Sequence, residues 1–217
     1  MNTTLKKQKI LALTGSSGAG KGTVVNFLQK YVFPNHVRLL VSCTTRVPRE
    51  KEIDGVHYHF VTKQEFQERV GKGEFIEWVE FDTNYYGTLL SELYGNEDGL
   101  NKKGFLDIPI LETELEGLLS VRSADFDGLY IYLAVEDLDV LKQRLIKRGT
   151  QTEESINNRI KIAAEQMARA KEEQLVWIVN EKIIDTMELI VSQIEANFEV
   201  KAELGWREKI VNECQFT

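Results

Sequence analysis

Lys21 closes the run Gly15-Ser16-Ser17-Gly18-Ala19-Gly20-Lys21. The spacing G-x-x-x-x-G-K is that of a loop whose backbone amides surround phosphate oxygens. Glycines let the chain bend so that successive N–H groups converge. The start of the following helix adds partial positive charge. The lysine ammonium is a mobile point charge for the β- and γ-phosphates of a nucleotide. Gly22 stands where a hydroxyl residue usually reaches Mg²⁺, and Thr23 follows it. Contact between this loop and the metal is therefore expected from Thr23, directly or through water.

Three further groups of charged residues could do chemistry. Arg46 and Arg49 bracket Pro48, which keeps both in a loop rather than on a helix. Two guanidinium forks so close together suit a phosphate dianion. Arg144 and Arg148 lie one helical turn apart on one face, and Arg159 follows the break Gly149-Thr150-Gln151-Thr152. Glu112 and Glu114 stand at the end of an apolar run, and Asp107 stands just before it. His36, His57 and His59 have no metal-ligand spacing with cysteine or carboxylate, so they are expected to be structural or solvated. Trp78, Trp177 and Trp206 are expected to pack.

These residues need a scaffold, and the pattern supplies one. Apolar Ile10–Leu13 reads as a strand entering the loop, and Val24, Val25, Phe27 and Leu28 recur at helical spacing after it. A second strand, Arg38–Ser42, completes strand–helix–strand, the unit of a parallel α/β sheet. His57–Val61 alternates like a strand. Thr62 with Glu65 reads as a capping box for a helix over Lys63–Val70, ended by Gly71 and Gly73. Phe75–Phe81 reads as a strand, Asn84–Thr88 as a turn or strand, and 89–103 as a short helix and loop. Gly104–Leu111 reads as a core strand in which Pro109 must fall at an end, a bulge or an unpaired position. Later elements are a helix over Thr113–Val121, a strand over Leu129–Val135 and an amphipathic helix over Glu136–Arg148. A long helix to Glu173, a strand over Leu175–Val179 and a helix over Asp185–Phe198 complete the pattern, and the tail 199–217 adds a helix.

Composition narrows the partners. At 217 residues, with 42% hydrophobic and 28% charged, the chain suits a globular fold. A net charge of −7 argues against a general polyanion surface, so no nucleic-acid partner is expected. No apolar run approaches the ~18–20 residues that span a membrane, and no apolar signal core follows Met1–Lys9. A cytoplasmic protein, monomer or homodimer, is expected. Cys43 and Cys214 are expected to be free thiols.

Several segments together resemble the guanylate kinase family over about Lys9 to Phe198. They are Ser42-Cys43-Thr44-Thr45-Arg46-Val47-Pro48-Arg49, Phe75-Ile76-Glu77-Trp78, Asn84-Tyr85-Tyr86-Gly87-Thr88, the run RGTQTEESINNR from Arg148 to Arg159, and the loop ending at Lys21. The resemblance implies a P-loop parallel-sheet core flanked by helices, an inserted mixed α/β GMP-binding lobe and a small helical lid. It implies Mg²⁺-dependent transfer of the ATP γ-phosphate to GMP, and to dGMP. One domain, 1–217, is then expected: core about 5–42, 89–143 and 160–198, lobe 43–88, lid 144–159 and an extension 199–217.

The resemblance also assigns residues. ATP is implied at Gly15, Ser16, Ser17, Gly18, Ala19, Gly20, Lys21, Gly22, Thr23 and Asn180. GMP is implied at Ser42, Arg46, Arg49, Tyr58, Glu77, Tyr86, Gly87, Thr88, Glu112 and Glu114. Lys21, Arg46, Arg144, Arg148 and Arg159 are implied in catalysis. A carboxylate at Glu77 accepts both N1–H and N2–H₂ of guanine, donors that adenine does not pair in this way. The family's acidic pair fits two places, Asp107 followed by Pro109, or Glu112 and Glu114 followed by Gly117. The second keeps both charges and the glycine, and makes Glu112 a candidate metal contact with Thr23. Non-catalytic domains of this kind usually lose the loop lysine or the lid arginines, which this chain keeps. A monophosphate kinase of other specificity, suggested by the Gly-Lys-Gly-Thr run, is disfavoured by Ser42 with Glu77.

Overall fold

The centre of the fold is β1 (Ile10–Thr14), buried along its whole length. That is the mark of a strand with neighbours on both edges and cover on both faces. The protein, described here from a computed structural model over residues 9–81, 83–93, 107–147 and 152–215, adds β2 (Val37–Leu39), β7 (Ile108–Glu112), β8 (Gly128–Ala134) and β9 (Val176–Val179) to it. The five strands lie in the order β2-β7-β1-β8-β9, and every pairing is parallel. Leu11 and Leu13 face one side and Ile10 and Ala12 the other, as strand alternation requires. On the first side they meet Val24 and Phe27 of α1 (Lys21–Phe27), Leu28 of the π-helical turn Leu28–Val32, and Met187, Ile190 and Ile194 of α7 (Ile183–Phe198). On the second side they meet Leu115, Leu118 and Val121 of α4 (Leu115–Ser123).

A second sheet is built from β3 (Cys43–Thr44), β4 (His59–Phe60), β5 (Phe75–Phe81) and β6 (Asn84–Leu89), in the order β4-β3-β6-β5. Antiparallel pairing sets Glu77 of β5 against Thr88 of β6. α2 (Lys63–Gly71) covers this sheet through Phe66, which stacks on Phe75 at 4.5 Å and on Tyr85 at 5.5 Å. The capping box of α2 forms as the sequence indicates, with Thr62 and Glu65 exchanging bonds at 3.1 Å and 2.8 Å.

The remaining helices are α3 (Leu90–Leu93), α5 (Leu138–Lys147), α6 (Glu153–Glu172) and α8 (Trp206–Gln215). Trp206 and Ile210 of α8 are buried in the first core. Lys30 and Tyr31 of the π-helical turn both donate to Glu213, and the Glu203 amide donates to the Val32 carbonyl at 2.9 Å. The tail is thus a brace behind the helix that follows the glycine loop. Among the described residues no helix is long and apolar enough to cross a membrane. Cys43 is buried, Cys214 is exposed, and both are free thiols.

Several boundaries differ from expectation. The strand expected over His57–Val61 shrinks to β4, because 53–58 fold into a turn with Val56 N–H and His57 N–H both on the Ile53 carbonyl. The strand expected to reach Ser42 ends at Leu39, where the chain leaves for the second sheet. Pro109 lies within β7, yet pairing with β1 begins at Leu11 and Ile110, so the donor it lacks falls ahead of that ladder. The helix expected from Thr113 starts at Leu115, leaving Thr113 and Glu114 in extended backbone. The loop expected after Leu93 lies outside the described residues.

Truncating Ile210 to alanine is expected to cost about 2–4 kcal/mol of stability, since the side chain is fully buried. Urea unfolding measures this, and a loss under about 1 kcal/mol would mean that α8 is not part of the core.

Candidate active site

The glycine loop sits between β1 and α1. Gly15, Gly18 and Gly20 have φ of +149°, +100° and +100°, backbone that side chains disfavour. Space is also closed: a Cβ on Gly15 would lie 2.2 Å from the Leu133 carbonyl oxygen. Lys21 Nζ donates to the Gly15 carbonyl at 2.5 Å, so the ammonium lies over the loop. Ser16 Oγ is 3.3 Å from the Tyr132 hydroxyl. Asn180, at the end of β9, is buried and donates through Nδ2 to the Ala19 carbonyl at 2.7 Å, while its Oδ1 accepts from Thr186 at 3.1 Å. Its amide therefore braces the loop from beneath. Asn180, implied for ATP, thus stands directly against the phosphate loop.

A cavity of about 380 Å³ opens beside the loop. Ser17, Lys21 and Gly22 line it from the loop side, Ser42, Arg46, Arg49, Tyr58, Glu77, Tyr86 and Gly87 from the second sheet and its loops, and Glu112, Glu114 and Arg159 from the core. Lys21 and Glu77, implied for different substrates and 56 positions apart in sequence, thus share one space. Thr88 stands behind this wall, with its hydroxyl 2.8 Å from that of Ser42. Gly15, Ser16, Gly18, Ala19, Gly20 and Thr23 do not line the cavity. Arg144 does not line it either: its Nη2 donates to the Asn180 carbonyl at 2.8 Å. Arg148 lies outside the described residues. Arg159, from α6, reaches the loop by donating to Ser17 Oγ at 2.9 Å, and its guanidinium lies 5.8 Å from the Phe81 ring centroid.

The arginine loop carries a residue that sequence reasoning missed. Glu52 accepts from Arg46 Nη2 at 2.8 Å and from the Arg49 amide at 2.8 Å. The Arg46 hydrogen bond holds the Glu52 carboxyl below its ordinary range. Arg46 also lies over the Tyr58 ring at 5.6 Å, and Tyr58 meets Tyr86 edge to face at 6.1 Å. A carboxylate three residues beyond Arg49 was visible, but only the fold turns it back onto both arginines.

Glu77 is the most constrained group of the site, at 4% exposure. Burial pushes its carboxyl up to about 6, against hydrogen bonds from Thr113 and Thr88 that favour the ionised form, and Glu114 adds to the rise. Glu112, half-buried at the end of β7, is also raised by desolvation, with Lys21 opposing. Glu114 Oε2 accepts from Gln166 at 3.1 Å. Asp107, the other acid considered, is nowhere near: it pairs with Arg38 at 2.9 Å beneath α3, whose Glu92 carbonyl takes another Arg38 bond. Among the described residues no three His, Cys, Asp or Glu side chains are grouped to hold a metal. His57 lines the cavity, its Nδ1 accepting from the Ile53 amide at 3.0 Å.

A parallel sheet whose first strand runs through this loop into a helix defines a P-loop nucleotide-binding α/β protein. The sequence pattern of the family described as guanylate kinase matches residues 7–197. Guanylate kinase of Halalkalibacterium halodurans is 37% identical over 209 residues, 95% of each chain. That of Streptococcus mutans is 39% identical over 206 residues, 94% of each chain. The crystal structure of guanylate kinase from Anaplasma phagocytophilum matches with a TM-score of 0.65 at 23% identity, covering 95% of both chains, and shares the fold. The chain belongs to the guanylate kinase family, kinases that transfer phosphate from ATP to GMP.

The Glu77 shift has a definite sign. Its native value of about 6 lies above the ordinary 4.5, so between these values the native state keeps a proton that the unfolded chain has lost. Stability contributed by this group is then lost as pH rises through that window, by on the order of 2 kcal/mol. The difference in unfolding free energy between wild type and Glu77→Gln is expected to change by that order from pH 4.5 to pH 7. A flat difference across that range would contradict the raised value.

Proposed function

We propose that the chain transfers the γ-phosphate of ATP to a phosphate oxygen of GMP, giving ADP and GDP, and uses dGMP in the same way. The observation that carries this is one cavity shared by Lys21 of the phosphate loop and the buried carboxylate of Glu77. Guanine offers two adjacent N–H donors, and Glu77 answers both; Ser42 and Thr88 add hydroxyls beside it. Arg46, Arg49, Tyr58 and Tyr86 hold the GMP phosphate, with Glu52 anchoring the Arg46 guanidinium and the Arg49 backbone amide.

The GMP phosphate oxygen attacks the γ-phosphorus, the bond to the β–γ bridging oxygen breaks, and ADP leaves with that electron pair. No side-chain nucleophile takes part. Lys21 and Arg159 stabilise charge on the migrating group, joined by Arg144 and Arg148 from the proposed lid over 144–159. The loop Gly15–Thr23 carries the ATP phosphates. Arg144 takes this role from a place beside the phosphate loop, its Nη2 on the carbonyl of Asn180, whose side chain holds Ala19.

Mg²⁺ takes hard oxygen ligands, often one or two carboxylates with substrate phosphates and waters. Glu112, which shares the cavity lining with Lys21, suits such a site, whereas Thr23 lies outside that lining and would reach the ion only through water. When bound, the ion neutralises the β- and γ-phosphate oxygens.

Measured by coupled ADP release, GMP and dGMP are expected to turn over far faster than AMP, UMP or CMP. AMP exceeding GMP would overturn the guanine assignment. Lys21→Ala is expected to lower kcat by at least about 10²-fold with GMP binding retained. Glu77→Gln is expected to raise the GMP KM about 10–100-fold with the ATP KM little changed; an unchanged GMP KM would remove Glu77 from the base site.

A further inference from the structure

Glu77 belongs to the second sheet, yet one of its hydrogen bonds comes from the core sheet. Thr113 Oγ1 donates to Glu77 Oε2 at 2.9 Å. The Thr113 amide donates to the Leu13 carbonyl at 3.2 Å, which fixes the residue to β1. The other hydroxyl on this carboxylate is that of Thr88, directly opposite on β6. Thus one donor moves with the second sheet and the other with the core. The space around the pair is closed from below. A Cβ on Gly117, in α4, would lie 2.4 Å from both Glu77 Oε2 and Thr113 Oγ1. Helix α4 approaches this closely because Gly117 presents no side chain, and the contact leaves the carboxylate a single slot.

We infer that Thr113 is a positioning residue for guanine recognition, its hydroxyl holding the Glu77 carboxylate in register between the core sheet and the second sheet. This rests on the reading of Glu77 as the base-binding carboxylate. A carboxylate must present both oxygens in the plane of the two guanine N–H donors, and rotation about its last bond spoils both bonds together. Thr88 alone travels with Glu77 and cannot relate it to the phosphate loop. Thr113, next to Glu112 and bonded to β1 just ahead of the loop, does so. Guanine bound against Glu77 is thereby placed relative to Lys21 through one strand end rather than through the whole second sheet.

Thr113→Val keeps the shape and removes the donor; Thr113→Ser keeps the donor and removes the methyl. The Val variant is expected to raise the GMP KM about 5–20-fold, on the order of one ordinary hydrogen bond, since the donor acts on guanine only through Glu77. Its kcat at saturating GMP and its ATP KM should stay within about twofold. The Ser variant should bring the GMP KM back to near wild type. In a Glu77→Gln background, Thr113→Val should add little, because the group it acts through is gone. A GMP KM unchanged by Thr113→Val, or the same multiplicative loss in both backgrounds, would overturn the inference. If Glu77→Gln itself leaves the GMP KM unchanged, the base-site reading fails with it; if only Thr113→Val is silent, that reading stands and this one falls. A Val loss that Ser does not repair would assign the effect to packing and also overturn it.

Discussion

A buried carboxylate is expensive unless donors surround it. Glu77 is such a group, and much of the site is arranged around the need to satisfy it. Thr88 comes from the neighbouring strand, Thr113 from the core, and Ser42 stands on Thr88. Helix α4 passes close enough to close the slot only because Gly117 has no side chain. Even so, burial outweighs the hydroxyls and leaves the carboxyl raised. Bound guanine would supply the missing donors, so the same imbalance that destabilises the empty site favours a ligand with paired N–H groups.

The phosphate loop shows the complementary strategy. Its glycine backbone has little intrinsic preference for one shape, and contacts from distant segments fix it. Asn180 holds the Ala19 carbonyl from β9, Tyr132 approaches Ser16 from β8, and Arg159 reaches Ser17 from α6. Arg144 in turn holds the Asn180 carbonyl. Arg144 is therefore linked to the loop through one intervening residue, Asn180.

Local features of the sequence were legible because local physics decides them. Glycine spacing before Lys21, the Thr62–Glu65 capping box and the apolar runs of β1, β5 and β8 each follow from residues within a few positions. Arg46 and Arg49 were visible as a pair for the same reason. Thr113 was not, since its partner lies 36 residues away on another sheet. Glu52 was hidden by a turn that returns it to Arg46. Asn180 stood in the expected neighbourhood, but side-chain direction depends on the packing of β9 against the loop. Asp107 and Glu112 are alike to a pattern; tertiary contact sends one to Arg38 and the other to the cavity.

The brace formed by α8 has a consequence for how the molecule comes into being. Lys30 and Glu213 are 183 positions apart, so the turn that continues the loop helix can receive this backing only after the whole stretch between them has been made. Contacts of such sequence separation form slowly and late. During synthesis the hydrophobic face later covered by Trp206 and Ile210 stays uncovered while the sheet strands emerge. The phosphate loop is therefore made long before the segment that backs its helix, and that helix gains its full support only when the two ends of this span meet.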